Sequence, residues 1–269
     1  MVRQDDAAGC AGCDDGCMVS KQVAHFASDG VLIAGGGRAI LLQVADPTVA
    51  AGVARHSDFA HRPLQRLHNT LTYVYAAILG TPAEAATVAG FVNRAHRPVA
   101  RAEDAALQLW VAATLYETAA LVHGRVFGAI PSALADELYR EYAILGTALQ
   151  MPAEAWPANR EAFRLYWDAQ VDSLVITDDA RQIAHDLFAP VVAPQWLRGV
   201  LPLARLLTID LLPTSIRDTY GFDWTPRDQR RADRAWRVIR MLARITPHRL
   251  RSTPARRYLK RLRRAATSR

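Results

Sequence analysis

The stretch Thr81-Pro82-Ala83-Glu84 limits what this chain can fold into more than any other. Thr81 has the form of an N-cap, Pro82 occupies the first helical position, and Glu84 stands where a capping box needs a carboxylate. Pro98 ends the helix, because Arg97 before it is biased away from helical angles. Between these limits Ala85, Val88, Ala89, Val92 and His96 recur at helical spacing, so the imidazole of His96 is expected to continue a buried stripe. A core histidine bonded to backbone is the plainer reading of such a residue, and a ligand the sharper one.

A second helix is expected from Pro63 to Leu79, with Leu67, Leu71, Val74, Ala77 and Ile78 on its apolar side. At 3.6 residues per turn, Arg66, Asn69, Thr70 and Tyr73 share another face. A guanidinium, an amide and a hydroxyl on one stripe could bind a carboxylate, an oxygen species or a carbonyl; a solvated polar face is the alternative.

The same periodicity runs through the rest of the chain. Glu103 to Val122 is expected to be a helix with Leu107, Trp110, Val111, Thr114, Leu115, Thr118 and Leu121 on one side and Gly124 past its end, packed against the His96 helix. Further helices are expected from Ser132, over Asn159–Leu174, over Asp178–Phe188 and over Trp196–Leu211, with Pro190, Pro194 and Pro213 between them. Phe163, Tyr166 and Trp167 read as core packing rather than a substrate wall. Alternating strand patterns are absent, and a chain of 269 residues that is 51% hydrophobic can bury one substantial core. The fold class is therefore all-α: a single multi-helix domain over residues 26–248, an N-terminal extension over 1–25 and a basic tail over 249–269.

Charge is uneven. From Thr225 onward there are 16 Lys+Arg against 2 Asp+Glu, whereas residues 1–224 hold 17 against 24. Thr225-Pro226-Arg227-Asp228 opens a helix with Ala235, Trp236, Ile239 and Leu242 inward and arginines outward. A solvated tail is the plain reading of residues 249–269, peripheral contact with anionic lipid the second, and nucleic-acid binding the least favoured. Trp196–Leu212 is the one segment that tempts a membrane-spanning reading, and its Arg198, Arg205 and Asp210 argue for a buried helix instead. With no basic-then-apolar leader, a cytoplasmic protein is the default expectation. Cys10, Cys13 and Cys17 are one thiolate short of a closed zinc or cluster site. Gly35-Gly36-Gly37 lacks the strand-helix context of a phosphate loop, and no nucleophile elbow or His-Glu-x-x-His helix occurs.

From Gly35 to about Pro254 the chain resembles the oxygenase family that includes bacterial rubber oxygenase (latex-clearing protein) and the fungal prenyl-side-chain-cleaving oxygenase of mycophenolic acid synthesis. The segments that carry the resemblance are Gly36 to Gln43, Pro47 to Val53, His56-Ser57-Asp58-Phe59, Arg66 to Thr70, His96, Trp110, Tyr139 to Tyr142, Gly146, Pro152, Leu211-Leu212-Pro213 and Tyr220-Gly221. It implies a globin-like helical core holding haem b, with His96 as the proximal iron ligand and Arg66 and Thr70 on the distal side. Rubber oxygenases carry a lysine where this chain has Asn69, an uncharged donor. The run after the histidine also departs, reading Pro98-Val99-Ala100.

On this resemblance the chain is expected to be a haem-b-dependent oxygenase acting with dioxygen on a hydrophobic, isoprenoid or lipid-like molecule, with oxidative C=C cleavage as one reaction. Arg94 and Arg38 are the candidate propionate partners. The alternative is a non-catalytic haem- or lipid-binding helical protein.

Overall fold

The computed structural model describes residues 18–56, 63–97, 101, 103–190 and 195–267, and among these no strand occurs. The helices in chain order are α1 (Lys21–Ala27), α2 (Gly36–Val44), α3 (Pro47–His56), α4 (Pro63–Leu79), α5 (Pro82–His96), α6 (Ala105–Phe127), α7 (Ser132–Tyr142), α8 (Ile144–Thr147), α9 (Arg160–Ser173), α10 (Asp178–Phe188), α11 (Gln195–Leu211), α12 (Thr214–Thr219), α13 (Pro226–Ile245), α14 (His248–Arg251) and α15 (Thr253–Thr267). Short 3₁₀ turns cover Gly30–Gly35 and Ala153–Ala155. The result is one all-α unit.

α4 and α5 form an antiparallel pair. The capping box forms in full: the Thr81 hydroxyl accepts from Glu84 N–H, and the Glu84 carboxylate accepts from Thr81 N–H at 2.8 Å. Only Gly80 and Thr81 separate the two helices, and Gly80 has to be glycine, since a Cβ there would lie 2.5 Å from the Ala76 carbonyl oxygen. The tight link folds α5 back along α4, so that Arg66, near the start of α4, and His96, at the end of α5, lie at the same open end.

α6 is the central helix, packing on α2, α13 and the 3₁₀ turn before α2. It runs past the expected stop at Gly124 and ends at Gly128, whose φ of +94° is a left-handed value that glycine adopts freely. It is also the one described helix long and apolar enough to cross a membrane, rather than the 196–212 segment; half of that window is buried inside the fold, which identifies it as the core helix.

The glycine run at the start of α2 lets helices meet closely. A Cβ on Gly35 would sit 2.4 Å from the Thr118 methyl of α6, and one on Gly37 would sit 2.2 Å from the Thr208 hydroxyl of α11. Buried polar bonds then lock α2 in place. Trp110 Nε1 donates to the Leu42 carbonyl at 3.0 Å, Gln43 Nε2 to Thr114 Oγ1 at 3.0 Å, and the Tyr220 hydroxyl to the Leu41 carbonyl at 2.7 Å. Beyond α6, Phe163 and Trp167 are buried with Tyr116, Tyr139 and Trp156 in one aromatic cluster, as expected for core residues.

Both ends of the described chain are bound into this unit. The expected boundary at residue 25/26 falls inside α1, whose Val23 and Phe26 belong to the core. The stretch expected as a basic tail forms α14 and α15 instead, and α15 lies against α4, with Tyr258 meeting His68 at 5.0 Å and Tyr75 at 5.6 Å between ring centres. Arg263 bonds Glu84 at 2.8 Å, and Arg251 bonds the buried Asp29 at 2.8 Å, tying the C-terminal helices to both α5 and the N-terminal segment.

Candidate active site

The polar face of α4 divides along its length. Asn69 and Thr70 are exposed, Arg66 is half-buried, and Tyr73 is in the core with its hydroxyl donating to the Leu145 carbonyl at 2.8 Å. Gln65 Nε2 donates to Asn69 Oδ1 at 2.8 Å, an i,i+4 pair on the helix surface that engages the amide oxygen and leaves its NH2 as the donating end. The signal for Gln65 as a neighbour of the site was this four-residue spacing. Burial lowers the pKa of Arg66, which stays far above neutrality and remains a cation.

On α5 the apolar stripe runs out before His96. Ala85, Val88 and Ala89 are buried and Val92 is half-buried, but His96 is exposed, because the last turn of α5 passes the edge of the core. The surrounding protein nonetheless disfavours protonation of the imidazole, and the positive charge of Arg66 adds to that effect; both hold the pKa of His96 below the ordinary 6.5. The hairpin therefore sets the His96 imidazole within the field of the Arg66 guanidinium at its open end. Residues 57–62 and 98–100, which adjoin α4 and α5 in sequence, lie outside the described residues, as do Cys10, Cys13 and Cys17.

The two arginines expected to meet propionates differ. Arg94 is exposed on α5, with its guanidinium 4.6 Å from the centre of the Phe91 ring. Arg38 is only 2% exposed, and its Nε and Nη1 are engaged within the core: Nε with the Leu211 carbonyl at 2.7 Å, Nη1 with the Thr118 hydroxyl at 2.6 Å and the Glu117 carboxylate. These contacts make Arg38 a tie between α2, α6 and α11. Its partners Glu117 and Thr118 carried no signal in the sequence, since pairing a buried arginine takes tertiary contact.

Two surface clefts lie away from this end. One of about 450 Å³ is lined by Phe26, Tyr116, Leu138 and Arg240, and one of about 410 Å³ by Phe188, Pro202, Trp224 and Arg231; neither is lined by Arg66, Thr70 or His96. Among the described residues no group of three or more His, Cys, Asp or Glu is placed to cage a metal ion.

Against this geometry, comparison with known proteins is decisive for the family. The sequence model described as "ER-bound oxygenase mpaB/B'/Rubber oxygenase, catalytic domain" matches residues 23–241, from α1 to the last turns of α13. The chain belongs to the MpaB/rubber oxygenase family. The chain is also 33% identical over 224 residues to the uncharacterized proteins Mb2261 of Mycobacterium bovis and Rv2237 of Mycobacterium tuberculosis, covering 78% of this chain and 88% of each relative. No solved structure matches. Membership in the family carries oxygenase chemistry, with dioxygen and an organic molecule as reactants in general terms. The α4–α5 hairpin that bears Arg66, Thr70 and His96 lies wholly inside the matched region.

Proposed function

We propose that the protein is a haem-b-dependent oxygenase that uses dioxygen on a hydrophobic, isoprenoid or lipid-like molecule, with oxidative cleavage of a carbon–carbon double bond as its reaction. The observation that carries this reading is that Arg66, near the start of α4, and His96, at the end of α5, come together at one end of a helix pair inside an oxygenase domain.

The donor chemistry fits haem, since a porphyrin brings four nitrogens of its own and asks the protein for one imidazole, which His96 offers. His96, held neutral, keeps a ring nitrogen lone pair ready to coordinate without first losing a proton. Arg94, exposed two residues away, would be the propionate partner, whereas Arg38 is engaged in the core by the Leu211 carbonyl and the Thr118 hydroxyl. Haem b, when bound, supplies the redox-active iron at which dioxygen is activated.

The chain's own groups then position and polarise. Arg66 is a permanent donor that needs no proton transfer, the Thr70 hydroxyl donates or accepts, and the Asn69 NH2, oriented by Gln65, donates without adding charge. With Asn69 where rubber oxygenases carry a lysine, this face of α4 holds one positive charge fewer and would polarise a bound oxygen species less.

Dioxygen uptake with polyisoprenoid alkenes by the haem-loaded protein, scored against free haem, tests the reading. Uptake above that background with carbonyl products supports an oxygenase. Haem retention with uptake no greater than background assigns the protein to binding alone.

A further inference from the structure

Among the described residues, α13 carries more exposed large apolar side chains than any other helix. Its inner face, Ala232, Ala235, Trp236, Ile239 and Ala243, packs on α6 and α11. The remaining large apolar residues do not pack. Val238, Met241, Leu242 and Ile245 are 51%, 56%, 49% and 70% exposed, and they follow the i, i+3, i+4, i+7 spacing of a second helical stripe. Leu250 on α14 is 63% exposed just beyond the end of that stripe. Leu242 was expected inward, and the packing of Ile239 and Ala243 turns it out. Isolated apolar residues on a surface are ordinary, but five large ones on one helix face and its adjoining turn make a contact surface.

The rim of the stripe is cationic. Arg234, Arg237 and Arg244 are exposed along α13 beside it, and Arg231 continues its line towards the helix start. On α15 the apolar side faces α4, while Arg256, Arg257, Lys260, Arg261 and Arg264 are exposed. α15 is therefore unable to insert an apolar face into anything without leaving the fold, and the insertion-competent surface is α13.

We infer that α13 is a membrane-docking face, which lays Val238, Met241, Leu242, Ile245 and Leu250 into the interface of an anionic bilayer while its arginines hold lipid phosphates. Charge complementarity selects this occupant. A second copy of the chain docked face to face would set arginine rims against each other, whereas an anionic leaflet neutralises them. Amphipathic helices with a basic polar side and large apolar residues bind in the plane of such interfaces. The inference stands apart from the haem reading and uses none of its residues.

Flotation of the full-length protein with phosphatidylcholine vesicles, with and without phosphatidylglycerol, tests it. Binding is expected with the anionic vesicles, weakening as salt rises, and little with phosphatidylcholine alone. Met241→Ser with Ile245→Ser should weaken anionic-vesicle binding at least about tenfold, the worth of burying one or two aliphatic side chains. Both positions are exposed, so an unchanged circular dichroism spectrum separates lost docking from lost folding. Equal vesicle binding by the double variant would overturn the inference, because the arginines alone would then suffice. It would also be overturned by absence of binding to either vesicle, or by self-association that the double variant abolishes without any vesicle binding.

Discussion

Arg66, near the start of α4, and His96, at the end of α5, lie together at the open end of the hairpin, where the guanidinium charge disfavours protonation of the imidazole. This coupling has a direct test. Arg66→Gln removes the charge and keeps a polar side chain of similar reach, so the pKa of His96 in the haem-free protein should rise towards 6.5 without loss of fold. Titration of the His96 ring resonances by NMR measures it. An unchanged value would mean that the charge of Arg66 does not reach the ring.

Arg38 should prove indispensable to the core. Arg38→Ala leaves the Glu117 carboxylate and the Leu211 carbonyl without their partner and is expected to destabilise the fold by about 3–5 kcal/mol. Chemical denaturation gives the value. A loss below about 1 kcal/mol, the range of an exposed pair, would contradict the structural role.

Gly37 is expected to tolerate no side chain while Thr208 stands opposite. Gly37→Ala should cost about 1–3 kcal/mol through overpacking, and Thr208→Ala in the same protein should recover part of that loss by removing the hydroxyl 2.2 Å and the methyl 3.1 Å from the new Cβ. A double-mutant cycle reads the coupling; strictly additive losses would place the clash elsewhere.

Acid should weaken the junction between the two ends of the chain. His25 and His248 stack at 3.6 Å between ring centres, with His123 and the Asp29–Arg251 pair close by. Burial is the main reason that the pKa of each of the three lies below 6.5, with Arg251 lowering and Asp29 raising all of them. Below that pH the unfolded chain takes up protons that the folded protein resists, so stability should be level above about pH 7 and fall as pH drops through 6.5 to the lowered values. His248→Phe keeps a ring in the stack and removes one titrating group. Thermal melts across this range should show a shallower acid loss in the variant than in the wild type.

Much of the α4–α5 region was legible in the sequence because its signals are local. The capping box at Thr81 and Glu84, the proline at the first helical position and the apolar spacing of Leu67 to Ile78 depend on neighbours within a turn or two, and both helices occur with the expected limits. His96 marks where such reasoning stops. Its spacing continues the stripe, but whether a position is covered depends on what packs over the end of the helix, and the structure leaves it exposed. Arg38 and the glycines at the start of α2 likewise take their meaning from Glu117, Thr118 and Thr208, which are distant in sequence. The basic tail was misjudged for the same reason: Tyr258 on α15 finds Tyr75 and His68 of α4 only in three dimensions.

The central claim, that this hairpin holds haem through His96, is tested most directly by the absorption spectrum of the purified protein expressed with haem supply, together with a pyridine haemochrome assay, for the wild type and His96→Ala. The account predicts a Soret band and haem b in the wild type and their loss or a marked shift in the variant. A wild-type protein without a Soret band, or a variant with an unchanged spectrum, would contradict it.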